Sequence, residues 1–123
     1  MATKKSDLYV FTKAKELAIY VFKITEKSPK KYRFTLTTRL QNYCLDAIEY
    51  IYTANSLPLN DERLALQKRA GVTLEKIGYF SMLAMEVQCI LPNQHQQISK
   101  LQAESLLFLG KWISSDKKRR NPE

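Results

Sequence analysis

Apolar residues recur along this chain at steps of three and four, the spacing that lines up one face of an α-helix. The first such stretch carries Leu8, Phe11, Ala14, Ala18, Val21 and Phe22, and predicts a helix from about Asp7 to Lys27. Ser6 or Asp7 is placed to cap its start, Lys23 and Lys27 suit the negative end of its dipole, and Ser28-Pro29 breaks it. A second helix is predicted from about Arg33 to Asn55, with Leu36, Leu40, Tyr43, Cys44, Ala47, Ile48 and Ile51 facing inward. Tyr43, Tyr50 and Tyr52 add aromatic area suited to the edge of a core or a subunit contact.

Leu57-Pro58-Leu59-Asn60 forms the next joint, with Asn60 as N-cap and Asp61 and Glu62 favouring the positive end of a third helix. That helix is expected to run to Leu91, about 46 Å if unbroken. Its stripe comprises Leu64, Val72, Leu74, Ile77, Phe80, Leu83, Ala84, Val87 and Ile90. Gly71 and Gly78, one heptad apart, mark either the close approach of a neighbouring helix or a kink near Gly71. Pro92-Asn93 makes the last joint, with Asn93 and Gln96 loosely matching a capping box. A fourth helix runs to about Ser115 along a seam of Ile98, Leu101, Ser105, Phe108 and Trp112, and a frayed polar tail follows Asp116. Short joints make successive helices antiparallel, so the expected fold is all-α, an up-down-up-down four-helix bundle. The organisation that follows is a flexible basic N-terminus at 1–6, a bundle domain at 7–115 and a basic tail at 116–123.

Charge changes the picture from fold to partner. Among 123 residues, 20 Lys+Arg oppose 12 Asp+Glu, for a net +8 and a pI of about 9.5. Such a field attracts polyanions. Residues 1–40 carry a net +7, residues 41–92 a net −2 and residues 93–123 a net +3, so any basic surface must come mainly from the first and fourth helices. In the expected topology Lys4, Lys5, Lys13, Lys15, Arg63, Lys68, Arg69, Lys111, Lys117, Lys118, Arg119 and Arg120 gather toward one pole. Lys27, Lys30, Lys31, Arg33 and Arg39 gather toward the other, with Lys100 nearby. The four consecutive cations from Lys117 to Arg120 are the most specific signal for phosphate contact. No zinc-finger spacing, helix-turn-helix signature or RNP motif points to base readout, so affinity is expected to depend steeply on salt.

Catalytic patterns are missing. There is no Gly-rich phosphate loop, nucleophile elbow, HExxH or paired CxxC, and no Glu-x-x-His pair of the di-iron bundles. His95, the lone histidine, has no metal-ligand companion and is expected to be solvated; the Arg-to-His spacing of HEPN-type ribonucleases does not precede it. Cys44 and Cys89 read as small buried hydrophobes, with heights expected to differ by about 25–30 Å, beyond disulfide reach. No metal, cofactor or enzymatic activity is expected. Neither a secretory signal nor a run of about 18 apolar residues is present, so the reading is a cytoplasmic protein without a membrane partner.

The layout resembles a known family. Ser28-Pro29-Lys30-Lys31, the long third helix with Leu83 and Ala84, and the terminal Leu107-Phe108-Leu109-Gly110-Lys111-Trp112-Ile113 with its basic tail are similar to the accessory variability determinant proteins of diversity-generating retroelements. They are similar also to the related four-helix proteins encoded in 23S ribosomal RNA intervening sequences. The resemblance spans nearly the whole chain. It implies a homopentameric barrel of bundles that binds RNA or DNA and associates with the retroelement's reverse transcriptase, supporting mutagenic complementary-DNA synthesis. The family offers no binding motif to map, so the candidate nucleic-acid contacts come from the charge map: Lys4, Lys5, Lys13, Lys15, Lys27, Lys30, Lys31, Arg33, Lys111, Lys117, Lys118, Arg119 and Arg120. The alternatives are an rRNA-associated protein of the intervening-sequence group and a structural oligomer whose charge serves only solubility.

Overall fold

A computed structural model describes the backbone of residues 5–121 and the side chains of residues 9–121. Among those residues there are no strands, and the chain forms four long helices: α1 (Lys5–Thr25), α2 (Thr38–Asn55), α3 (Asp61–Glu86) and α4 (Pro92–Arg120). The arrangement is consistent with a four-helix bundle. Each helix packs on its neighbours in sequence, and α1 packs on α4 to close the ring.

The core follows the predicted stripes with shifts of phase. Val10, Ala14, Leu17, Ala18 and Val21 on α1 meet Leu40, Cys44, Ala47, Ile51 and Ala54 on α2. The α3 contribution is a strict alternation of three and four: Arg63, Gln67, Ala70, Leu74, Ile77, Ser81, Ala84. On α4 the buried seam is Ile98, Leu101, Ser105, Leu109, Trp112 and Asp116. Several residues expected inside are instead exposed, namely Phe22, Val72, Leu83 and Val87. Phe108 is only partly buried and lies against Tyr9 with ring centroids 5.5 Å apart, while Leu109 takes the core position beside it.

Contact partners order the helices. Between α2 and α3 the Tyr43 and Phe80 rings meet edge to face at 5.4 Å, and the Arg69 guanidinium lies 5.4 Å over the Tyr50 ring. Between α3 and α4 the glycines act by allowing close approach. A Cβ on Gly71 would stand 3.3 Å from Leu109 Cδ2, and one on Gly78 would stand 2.8 Å from Gln102 Nε2. Helix α3 runs continuously through both positions, and at each the missing Cβ makes room for an α4 side chain.

The helix ends differ most from expectation. Helix α1 stops at Thr25, whose hydroxyl donates to Val21 O at 2.7 Å and accepts from Gln41 Nε2 of α2 at 3.0 Å. The predicted start of the second helix is not α-helical. A 3-10 turn at Lys30–Tyr32 leads into a π-helical segment at Arg33–Thr37, where the Thr38 amide and hydroxyl both donate to Arg33 O. Helix α3 ends at Glu86 instead of Leu91, because Gln88 turns left-handed at φ 65°. The Cys89 amide then donates to Ala84 O and the Gln88 amide to Met85 O, the two hydrogen bonds of a Schellman motif, usually built on glycine. This fold-back buries Cys89 and Ile90 under the joint.

The N-cap of α4 lies two residues before the predicted one. It is Leu91, whose amide donates to Gln94 Oε1 at 2.9 Å, with Pro92 as the first helical residue. Asn60, by contrast, caps α3 as expected, accepting from the Arg63 amide at 2.9 Å. At its far end α4 continues to Arg120, so the cations expected on a frayed tail belong to the helix. Pro122 and Glu123 of that tail lie outside the described residues, as do residues 1–4 of the expected N-terminal segment, whereas Lys5 and Ser6 already belong to α1.

Candidate nucleic-acid interface

Two groups of cations are set apart by what surrounds them. The first lies where α4 ends beside the start of α3, and a buried charge network organises it. Arg63, 2% exposed, donates through Nε to Asp116 Oδ2 at 2.7 Å and through Nη2 to Asp116 Oδ1 at 3.1 Å. Its remaining amino group reaches the carbonyls of Ala54 and Leu57 at 3.3 and 3.0 Å, satisfying acceptors at the end of α2. The guanidinium carbon lies 5.1 Å over the Trp112 ring. Gln67 Nε2 donates to Asp116 Oδ2 at 2.8 Å, and Arg119 Nη2 to Oδ1 at 2.5 Å. Burial pushes the Asp116 carboxyl toward its neutral form, but the hydrogen bonds from Arg63, Arg119 and Gln67 outweigh it and hold the pKa below the usual aspartate value.

This network corrects the charge map. Arg63 is a buried structural group and not part of a solvated positive pole. Asp116 faces inward and does not open the tail. Of the four consecutive cations, Arg119 is bound to Asp116 and Arg120 Nη2 pairs with Asp61 Oδ1 at 3.0 Å, leaving Lys117 and Lys118 exposed without a carboxylate among the described residues. Lys111 lies exposed over the Phe108 ring, 5.4 Å from its centroid.

Along α1 the candidates separate. Lys13 bridges Glu16 at 3.6 Å and Glu104 of α4 at 3.3 Å, and the hydrogen bond to Glu104 is the main cause of its raised pKa. Its charge is therefore already partnered. Lys15 is exposed at the rim of a groove between α1 and α2 floored by Ala18, Ile19, Phe22, Leu45 and Ile48. Lys4 lies outside the described residues, and Lys5 begins α1.

The second group is the joint between α1 and α2 with the first turns after it. Lys27, Lys30, Lys31, Arg33 and Arg39 are all exposed, and none has a carboxylate within 4.0 Å among the described residues. This joint is held against the one between α3 and α4. Tyr32 donates its hydroxyl to Val87 O at 3.1 Å, Thr37 Oγ1 lies 3.8 Å from Cys89 Sγ, and Lys31 Nζ sits 5.2 Å over the Tyr32 ring. A groove of about 260 Å³ lies between the two joints, bordered by Lys27, Ser28 and Pro29 on one side and Gln88 to Leu91 on the other. Nearby Phe34 stands 85% exposed.

Groups that could do chemistry are taken up structurally. His95, expected in solvent, is half-buried with Nδ1 2.8 Å from Ser81 Oγ. Cys44 is buried, and burial pushes its thiol up to about 12. Cys89 is buried beside Thr37, seven residues and about 10 Å along the chain from Cys44, a smaller offset than expected, and both thiols are free. No helix among the described residues is long and apolar enough to cross a membrane. Neither known family models nor curated proteins give a match to this chain.

Proposed function

We propose that this protein is a non-catalytic nucleic-acid-binding partner of a reverse transcriptase, the accessory component of a diversity-generating retroelement. In this reading the helices run up-down-up-down and antiparallel, and copies assemble into a homopentamer in the cytoplasm. The opposite order of contact partners supports the topology: Tyr43 with Phe80 and Tyr50 with Arg69 across α2 and α3, Ser81 with His95 and Arg63 with Asp116 across α3 and α4. Exposed Ile19, Leu45, Tyr52 and Tyr79 offer apolar area for contacts between copies.

The observation that carries the binding reading is the uncompensated cluster Lys27, Lys30, Lys31, Arg33 and Arg39. A surface that neutralises its own cations gains little from phosphate. Here five guanidinium and ammonium groups at one joint form no ion pair with a described carboxylate, and binding there would release counterions from a nucleic-acid backbone. Lys15, Lys117 and Lys118 extend the field, whereas Lys13, Arg119 and Arg120 contribute less because carboxylates already hold them.

Two measurements test this. The purified protein should shift labelled RNA and DNA with an affinity that falls steeply between low and moderate salt. It should also co-purify with the reverse transcriptase encoded beside it. Absence of polyanion binding would leave only the structural-oligomer reading, and a reading frame lying inside a 23S gene would favour the ribosomal intervening-sequence group.

A further inference from the structure

Phe34 is the most exposed large apolar side chain among the described residues, at 85%, and it stands among cations that form no ion pair with a described carboxylate. Within Lys30–Phe34 the two aromatic residues have opposite fates. Tyr32 is held, its hydroxyl on Val87 O and its ring under the Lys31 ammonium. Phe34 has no such anchor. It sits on the π-helical turn Arg33–Thr37, where the extra residue per turn changes the angular spacing of side chains before the regular helix resumes at Thr38. Leu36 and Thr37 of the same turn reach the core side, and Arg33, Phe34 and Thr35 are left outside.

An apolar ring among lysines and arginines is a poor seat for an apolar partner, since docking would desolvate the surrounding cations without compensation. It suits a partner that brings negative charge and a flat π-face together. We propose that Lys30–Thr37 is a stacking platform for single-stranded nucleic acid: an unpaired base lies on the Phe34 ring while neighbouring phosphates meet Lys30, Lys31, Arg33 and Arg39. The internal base pairs of a duplex cannot use the ring in this way, because both faces of each are already stacked. The platform rests on the phosphate-binding reading above and adds a preference for unpaired strands.

The test uses the full chain with fluorescein-labelled oligo(dT) and a blunt duplex of matched length, followed by anisotropy over a salt series, with the oligomeric state measured in parallel. Phe34→Ala should weaken oligo(dT) binding by about 5- to 150-fold, the range for loss of one stacked base. The slope of log affinity against log salt should stay as in the wild type, because no phosphate contact is removed. Duplex binding should be unchanged, and Phe34→Tyr should retain the wild-type affinity for oligo(dT). Wild-type affinity of Phe34→Ala for oligo(dT), or equal weakening toward both probes, overturns the platform while leaving the charge reading standing. A changed oligomeric state in Phe34→Ala also overturns it, because the ring is then a contact between copies. If the wild type binds neither probe at any salt, the charge reading and the platform fail together.

Discussion

Replacing Asp116 by alanine should be among the most destabilising single changes in this protein, although the residue opens a stretch that looks like a solvated tail. The carboxylate accepts four hydrogen bonds from three side chains at 2.5–3.1 Å. Removing it leaves the Arg63 guanidinium buried, with the Ala54 and Leu57 carbonyls and the Trp112 ring but no counter-charge. Deleting one partner of a buried ion pair costs about 3–5 kcal/mol, mostly through the uncompensated charge left behind. At roughly 3–5 °C per kcal/mol for a chain of this length, Tm should fall by about 10–20 °C. Urea unfolding followed through Trp112, the only tryptophan, reports on the same site.

The pair as a whole need not stabilise the fold. Gln67 Oε1 and Trp112 Nε1 have no hydrogen-bond partner among the described residues, so the network is incompletely satisfied. The double replacement Arg63→Met with Asp116→Leu removes both charges and should recover part of the loss, the rest remaining as the cost of the Gln67 amide and the Ala54 and Leu57 carbonyls left without partners. Arg119→Ala should cost less than about 1 kcal/mol, since that side chain is partly exposed. An Asp116→Ala variant within about 1 kcal/mol of the wild type would refute the argument, and so would a double variant as unstable as the single one.

Other outcomes follow from the same geometry. The lowered Asp116 pKa means a contribution present above the unfolded-state value of about 3.9 and lost as pH falls through the folded value; the acid limb of a stability–pH curve should thus flatten in Asp116→Ala. Gln88→Gly should raise stability by about 0.5–1 kcal/mol in urea unfolding, because the left-handed position at φ 65° suits glycine. The buried Cys44 thiol, with its pKa near 12, should resist alkylation at pH 8 until the chain is unfolded, as mass spectrometry of labelled peptides would show.

The helices were legible where apolar periodicity is dense. Ala14, Ala18 and Val21, then Leu40, Cys44, Ala47 and Ile51, stand inside as their spacing requires. The end of α3 was not legible because its left-handed residue is Gln88 and not a glycine, so nothing in the composition marks the stop. Nor does the sequence show that Arg33–Thr37 is π-helical, and the contacts of Tyr32 and Thr37 with Val87 and Cys89, more than fifty positions away, leave no local signal.

The charged hub was missed for a different reason. Arg63 and Asp116 lie 53 positions apart, and charged residues are ordinarily assigned to the surface. A signal was nonetheless present. The α3 steps from Ala84 back through Ser81, Ile77, Leu74 and Ala70 arrive at Gln67 and then Arg63, and the α4 steps through Leu109 and Trp112 arrive at Asp116. Helical phase placed these groups inside; only residue type argued against it. At the candidate interface the sequence shows where the cations lie along the chain but not which of them carboxylates hold: the pairing of Lys13, Arg119 and Arg120 shifts the weight to the Lys27–Arg39 joint, and the exposure of Phe34 depends on a turn the sequence does not reveal.

The central claim is that this joint, and not the helical tail, is the main phosphate-binding surface. Its most direct test is the salt dependence of RNA binding by a variant with Lys27, Lys30, Lys31 and Arg33 all replaced by alanine, beside one with Lys117 and Lys118 replaced. The first variant should lose most of the affinity and flatten the log–log slope by up to about 0.9 per phosphate contact removed, with the second changing less. A wild-type slope in the first variant, with the loss confined to the second, would contradict it.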